Sequence, residues 1–505
     1  MAAEKCVEIV QRLSNTSVRE LMITLQDLSA LLNSPSFSLR EIAPHIPVRL
    51  LFGCFSTTND EQISLCKGIL SKLLSIEKAD AVITQYHDFI IEGLNHPQSE
   101  VREFCLGELE RCSTTVNGLL AILDNVDILV YTTRALSNES LACVKLASNT
   151  LINTAKHESG LEILFQHLIQ SEIEELLTQK EVIRFRVYEL MVTVQGLSKK
   201  AFELCRKSGV LEKLAKELDG DDILLRLNSI ELLTQLADSG TNGLMFVEES
   251  GTANKLNHLL ITAEADPLMS LMLPNIIRFF GYLAQSRPAE VTQQYPVFLQ
   301  IVISFLTAAD PSLKLIAIET VGAVSHSEAG LRVLFDDKSR IQEVMKILCT
   351  NISSSQADVK TRSLETLALI FHSTEVPSED LSVLTKSLFS AMTSNPFQEL
   401  MEISKQPFQD VHFAVLKVLR SLAKYRWAQE NMTTCPGFLE YLLDRKTETD
   451  KTGKELKYEF IAELVHSPFS KEVFDKPIHL RLREYEREGP FYVRAEAAVA
   501  FEGAD

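Results

Sequence analysis

A unit of roughly forty residues recurs along most of this chain, and no other property narrows the possible folds so far. The clearest copy is residues 208–260. Ser208-Gly209 opens it, followed by the apolar-spaced segment 210–218, the polar turn Asp219-Gly220-Asp221-Asp222 and a longer apolar-spaced segment, 223–237. A short third piece begins at Gly243, and the Ser-Gly pair returns 42 residues after the first, at Ser250-Gly251. Repeats of this length, built from two or three helices, predict an all-α, HEAT/armadillo-like α-solenoid. One such unit cannot bury its apolar stripe alone, so units stack and the array grows by addition.

Two markers extend the period. One is the start of the short helix: Asn117-Gly118-Leu119, Ser159-Gly160-Leu161, Lys200-Ala201-Phe202, Asn242-Gly243-Leu244 and Ala329-Gly330-Leu331. The other is an acidic or proline turn before the long helix, at His96-Pro97 with Val101-Arg102, Asp266-Pro267, Asp310-Pro311 with Lys314, and Asp358-Val359-Lys360. There the turn residue is expected to cap the helix and the basic stem to cover its flank. At this period the chain holds roughly eleven units. Residues 1–60, punctuated by Pro35, Pro44 and Pro47, read as capping helices; 61–480 as the array; 481–505 as a C-terminal segment with a mobile small-residue tail, 495–505.

Composition agrees. Hydrophobic residues make up 46% and aromatic residues 7%, with only 19 glycines and 16 prolines, as suits helices packed through aliphatic side chains. The net charge of −18 argues against nucleic acid, whose phosphates need a basic face. It favours a basic or mixed-charge protein partner. Nine scattered cysteines, without a C-x-x-C pair or an apparent signal peptide, predict reduced thiols in a cytoplasmic or nuclear chain, so the sequon Asn15-Thr16-Ser17 is expected to be silent. The most apolar run, 268–284, is broken by Pro274 and Arg278 and is too short to span a membrane.

No Gly-x-Gly-x-x-Gly, P-loop, Gly-x-Ser-x-Gly or His-Glu-x-x-His pattern occurs, and the eleven histidines are dispersed. The expectation is a chain without catalytic, cofactor or metal residues. One polar pattern remains. The long segments place a glutamate at one register in four units: Glu189, Glu231, Glu319 and Glu365. Asn228 and Gln235 share the stripe of Glu231, opposite Leu225, Leu232, Leu233 and Leu236. Arg186 and Arg362 stand three residues before Glu189 and Glu365, a spacing that pairs charges on a helix. Stacked units would make the stripe an acidic ladder for a partner; the plainer reading is a solvated face.

The period stretches at 393–410, read as a loop insertion with two Pro-Phe pairs. Phe397 and Phe408 are either a contact or rings tucked into the array. The mixed-charge stretch 444–457 reads as a solvated loop.

The C-terminal third carries a resemblance. Ser404-Lys405-Gln406-Pro407-Phe408, Ala414-Val415-Leu416-Lys417-Val418, Trp427-Ala428-Gln429, Pro436-Gly437-Phe438 and Glu488-Gly489-Pro490-Phe491-Tyr492-Val493 resemble the 26S proteasome non-ATPase regulatory subunit 5 family. So do residues 182–190 and Phe279-Phe280-Gly281. The resemblance implies a HEAT/armadillo chaperone for building the base of the proteasome regulatory particle. It would bind the C-terminal domain of an ATPase, regulatory subunit 7, in a precursor module with regulatory subunit 4 and non-ATPase subunit 2, and leave before the particle matures. The rival class is a solenoid cargo or trafficking adaptor.

Overall fold

The computed structural model describes residues 2–15, 18–34, 38–262, 269–335, 338–353 and 356–493. Pro35, Thr16 and Ser17 of the sequon, the Asp266-Pro267 turn, Leu268 and the tail 495–505 lie outside them. Among the described residues every regular element is helical and no strand occurs.

Eleven long helices carry the repeat: α1 (Val18–Asn33), α2 (Asp60–Ser75), α3 (Ser99–Ser113), α4 (Leu141–Ala155), α5 (Glu181–Gln195), α6 (Ile223–Asp238), α7 (Leu273–Ser286), α8 (Pro311–Ser325), α9 (Ala357–Ile370), α10 (Gln409–Leu422) and α11 (Lys451–His466). Among the described residues two further α-helices, in places with a 3-10 turn, separate each from the next; most are shorter, but Lys338–Ile352 and Glu379–Met392 match the length of the helices beside them. Two compact units form: Met1–Gly220 with Ser239–Gly243, which holds α1–α5, and Asp221–Asp238 with Leu244–Asp505, which holds α6–α11. In each unit, consecutive long helices pack side by side.

Local chemistry explains the markers. Asp310 and Asp222 cap α8 and α6, accepting from Ser312 N at 2.7 Å and Leu224 N at 2.8 Å. Thr115, Ser198 and Ser327 cap the short helices by accepting from the backbone N–H of Gly118, Ala201 and Gly330. The glycine in that marker answers a steric demand. A Cβ at Gly118, Gly160 or Gly330 would fall inside the envelope of a carbonyl oxygen ending the preceding long helix, that of Cys112, Thr154 or Val324. Gly209 and Gly251, both at φ +73°, make the left-handed turn between two helices that a side chain would strain. The basic residue of the turn marker does more than cover a flank: Arg102 Nη1 donates to His96 O at 2.5 Å and Pro97 O at 2.8 Å, closing the turn.

Each long helix buries an aliphatic stripe, such as Ile230, Leu233 and Leu236 on α6 and Val415, Leu419 and Leu422 on α10. Full burial of such a side chain is worth about 1.5–3 kcal/mol. Small residues let α7–α10 approach closely. A Cβ at Gly322 would stand 3.0 Å from Leu369 Cδ1. Thr366 Oγ1 donates to Ile318 O at 2.9 Å, and Ser421 Oγ to Ala368 O at 2.8 Å, so hydroxyls of one helix bond the backbone of its neighbour.

Two stretches read as loops are otherwise. Within 393–410, Pro396–Ser404 is a helix: proline suits its first turn, and Phe397, Leu400, Met401 and Ser404 form a buried stripe. Within 444–457, Asp450 caps α11 and accepts from Gly453 N at 2.8 Å, while Glu448 and Lys457 are buried. Their charges are matched inside the fold, which periodicity alone does not reveal.

Candidate interaction surface

The four glutamates divide between the units. Glu189 is exposed on α5 of the first unit. Its expected partner turns elsewhere: Arg186 Nη1 donates to Leu136 O and Asn138 O, both at 2.8 Å, anchoring α5 to the preceding repeat. Glu231, Glu319 and Glu365 sit on α6, α8 and α9 of the second unit, each at least partly exposed. Asn228 and Gln235 are exposed beside Glu231, and Gln235 Nε2 donates to Glu231 Oε1 at 3.3 Å.

These three carboxylates do not stand as a bare acidic ladder, because neighbouring helices of the second unit supply cations. Arg278 of α7 lies 3.9 Å from Glu231. Arg362 of α9 bridges Glu319 at 3.2 Å and Glu365 at 3.0 Å, so the expected Arg362–Glu365 pair forms. Lys417 of α10 reaches Glu365 at 2.9 Å. The alternation continues past the predicted residues: Arg420 meets Glu459 at 2.6 Å and Glu463 at 3.8 Å on α11, and Lys424 stands 3.9 Å from Glu463. Sequence reasoning found Glu231, Glu319, Glu365 and the Arg362–Glu365 pair but missed Arg278, Lys417, Arg420 and Lys424, since these cations meet the glutamates only across helices.

Exposed pairs of this kind are worth under about 1 kcal/mol each and are screened by salt. The seam therefore aligns repeats weakly and leaves charge available for exchange with a partner. A groove of about 470 Å³ opens on it, where Leu315 and Phe413 lie among Asp358, Asp410 and the Glu319–Arg362–Glu365–Lys417 chain.

Phe397 is buried, with its ring centroid 6.0 Å from Phe389 and 5.2 Å from Phe438. Phe408, just before α10, is 53% exposed. Thus one ring of the insertion belongs to the core and the other to the surface.

The C-terminal end of the second unit holds a buried polar cluster. Glu448 Oε2 lies 2.7 Å from His412 Nε2, and Tyr441 donates its hydroxyl to Glu448 Oε1 at 3.2 Å. Burial alone would raise the Glu448 pKa; the contact with His412 and the charge of Lys457 outweigh it and bring it below the ordinary value. The same hydrogen bond raises the pKa of His412. Arg445 donates to Gly489 O at 2.8 Å and Glu488 Oε2 at 2.9 Å, and stacks 3.7 Å from the Tyr485 ring. These contacts tie residues 441–457 to the helix Lys476–Glu488. Among the described residues no group of three or more His, Cys, Asp or Glu side chains could hold a metal ion, and no helix is long and apolar enough to cross a membrane.

The second-unit arrangement is therefore a surface of exchangeable ion pairs. Solved structures share the fold at low sequence identity. Importin beta aligns with a TM-score of 0.52 at 12% identity, covering 95% of this chain and 64% of that one. The Kap95p–RanGDP structure gives 0.54 at 13%, covering 97% and 66%. Sequence is more specific. The chain is 32% identical over 483 residues to the 26S proteasome non-ATPase regulatory subunit 5 of Bos taurus, covering 95% of this chain and 96% of that protein. It is 31% identical to the Homo sapiens protein of that name over 97% and 98% of the two chains, and 25% identical to that of Drosophila melanogaster over 88% and 86%. A family model described as proteasome non-ATPase 26S subunit matches residues 2–505. With repeats, fold and whole-length similarity agreeing, this chain belongs to the 26S proteasome non-ATPase regulatory subunit 5 family.

Proposed function

We propose that this chain is a non-enzymatic assembly chaperone for the base of the proteasome regulatory particle. It holds the C-terminal domain of the ATPase regulatory subunit 7, within a cytoplasmic precursor module that includes regulatory subunit 4 and non-ATPase subunit 2, and leaves before the particle is complete. The observation that carries the reading is similarity to regulatory subunit 5 proteins along almost the whole of both chains. The mechanism is steric: the chaperone covers a surface that a premature partner would otherwise use. The seam on α6–α11 suits such a role. Its surface ion pairs can be traded for pairs with the client, which speeds encounter without making departure slow. Family membership favours this reading over the cargo adaptor, since likeness to importins at 12–13% identity concerns the fold alone.

Affinity capture of the tagged full-length chain, followed by mass spectrometry, tests the proposal. The expected result is ATPase subunits of the base without the 20S core. Recovery of Ran-type GTPases or coat components, without base ATPases, would refute it in favour of the adaptor.

A further inference from the structure

The C-terminal ends of α8 and α9 meet through two histidines. His326, immediately after α8, and His372, just after α9, stack with ring centroids 4.8 Å apart and planes 10° from parallel. Both are half-buried, and His326 Nδ1 is shielded from solvent without a hydrogen-bond partner among the described residues. His326 also lines a cleft of about 260 Å³ that reaches Glu319, Arg362 and Glu365 of the charged seam.

The charged surroundings are unfavourable to a further proton. Arg420 and Lys424 from the α10 side and Glu463 of α11 act on His372. Lys424 Nζ donates to Ser373 O at 2.6 Å, in the segment that follows His372. The nearby carboxylates already have cations: Glu463 has Arg420 and Lys424, and Glu319 and Glu365 share Arg362. A charged imidazole here would lack a free carboxylate and would face a second ring at stacking distance.

We infer that the His326–His372 stack is a proton-sensitive latch between the eighth and ninth long helices, closed while His372 is neutral and loosened when its ring is protonated in mild acid. The inference goes beyond the chaperone reading and does not depend on it. Burial lowers the His372 pKa below its ordinary 6.5, and His326, Lys424 and Arg420 push the same way against Glu463. The sign follows. The open state binds the proton more readily than the closed one, so the contribution of His372 is complete above about 6.5 and is lost as pH falls through the lower closed-state value. Opening would separate the helix ends next to the Glu319–Arg362–Glu365 bridge, so acid would also alter the seam.

Hydrogen exchange of the full chain, read by mass spectrometry at pH 7.5 and 5.8 with times scaled for the intrinsic rate, tests the latch. The expected result is several-fold faster exchange at pH 5.8 in peptides covering the ends of α8 and α9, with those of α2 and α3 unchanged. His372→Phe keeps a ring in the stack and removes the titration, so the acid response should flatten. No acid response in the natural chain, or the same response in the variant, overturns the latch. Should His372→Phe fail to fold, exchange of the imidazole C2 hydrogen in the natural chain reads His372 directly: an apparent pKa below 6.5 supports the latch, and one at or above 6.5 overturns it.

Discussion

Replacing Lys457 with methionine should have a small effect at neutral pH and a large one in base. The side chain is fully buried. Its ammonium donates to Tyr441 O and Asp444 O, each at 2.7 Å, and to Thr447 Oγ1 at 2.5 Å, and lies 4.5 Å from the Tyr441 ring centroid. Lys457→Met keeps the stem but donates nothing. The part-buried Tyr441 carbonyl oxygen loses its donor, at about 1–3 kcal/mol, while that of Asp444 keeps Thr447 Oγ1. Thr447 keeps its contacts with Glu448 and Asp444 at 3.2 Å and adds little. Against this, burial pushes the Lys457 pKa from 10.5 down to about 8, with Glu448 and Asp444 resisting. Below pH 8 the charged form therefore carries a penalty of about 3 kcal/mol, which methionine removes. The two effects partly cancel at pH 7. As pH rises, the folded natural chain sheds a proton that the unfolded chain retains, so its stability climbs relative to the variant. The relative gain should be about 1.4 kcal/mol by pH 9 and about 2.6 kcal/mol by pH 10. The sole tryptophan, Trp427, is buried in the same unit and provides a fluorescence reporter of unfolding. Urea titrations followed by its fluorescence at pH 7, 8, 9 and 10 would measure the difference, in which groups common to both chains cancel. A difference that stays flat from pH 7 to 10 would refute the reasoning.

Other expectations are as direct. Gly330→Ala should lower thermal stability by about 1–3 kcal/mol because its Cβ meets the Val324 carbonyl, whereas Gly68→Ala, with open space inside α2, should raise it by up to about 1 kcal/mol; equal melting shifts would contradict the steric account. Reversing Glu231 and Glu319 together to lysine sets them against Arg278 and Arg362, so association with the isolated ATPase domain should slow at low salt and the difference should fade at high salt, with helicity unchanged; unaltered kinetics at low salt would leave the seam a solvated face. Nine thiols should titrate in denaturant without reductant, and in the native chain half-buried Cys54, Cys349 and Cys435 should react before the six buried ones; a count of seven or fewer would indicate disulfides.

The sequence by itself determined the rhythm of the molecule. Caps, turn glycines and apolar spacing act within a few residues, so the helical repeat of roughly eleven units, the turn at Asp310 and the marker glycines Gly118, Gly160 and Gly330 could be read from the chain. It also identified which face of each helix carries Glu231, Glu319 and Glu365. Tertiary structure alone decided what meets that face. Helical periodicity specifies direction around one axis and says nothing of how far the next helix is offset along it. That offset brings Arg362 to Glu319 and Lys417 to Glu365. Burial was likewise invisible where charge was compensated: Lys457 and Glu448 look like solvent-facing residues until partners from distant positions surround them. Phe397 and Phe408 form the same dipeptide with proline, yet one begins an amphipathic helix packed on Phe389 and the other precedes α10 in solvent. Local composition cannot separate them, because what differs is the neighbouring repeat each ring reaches.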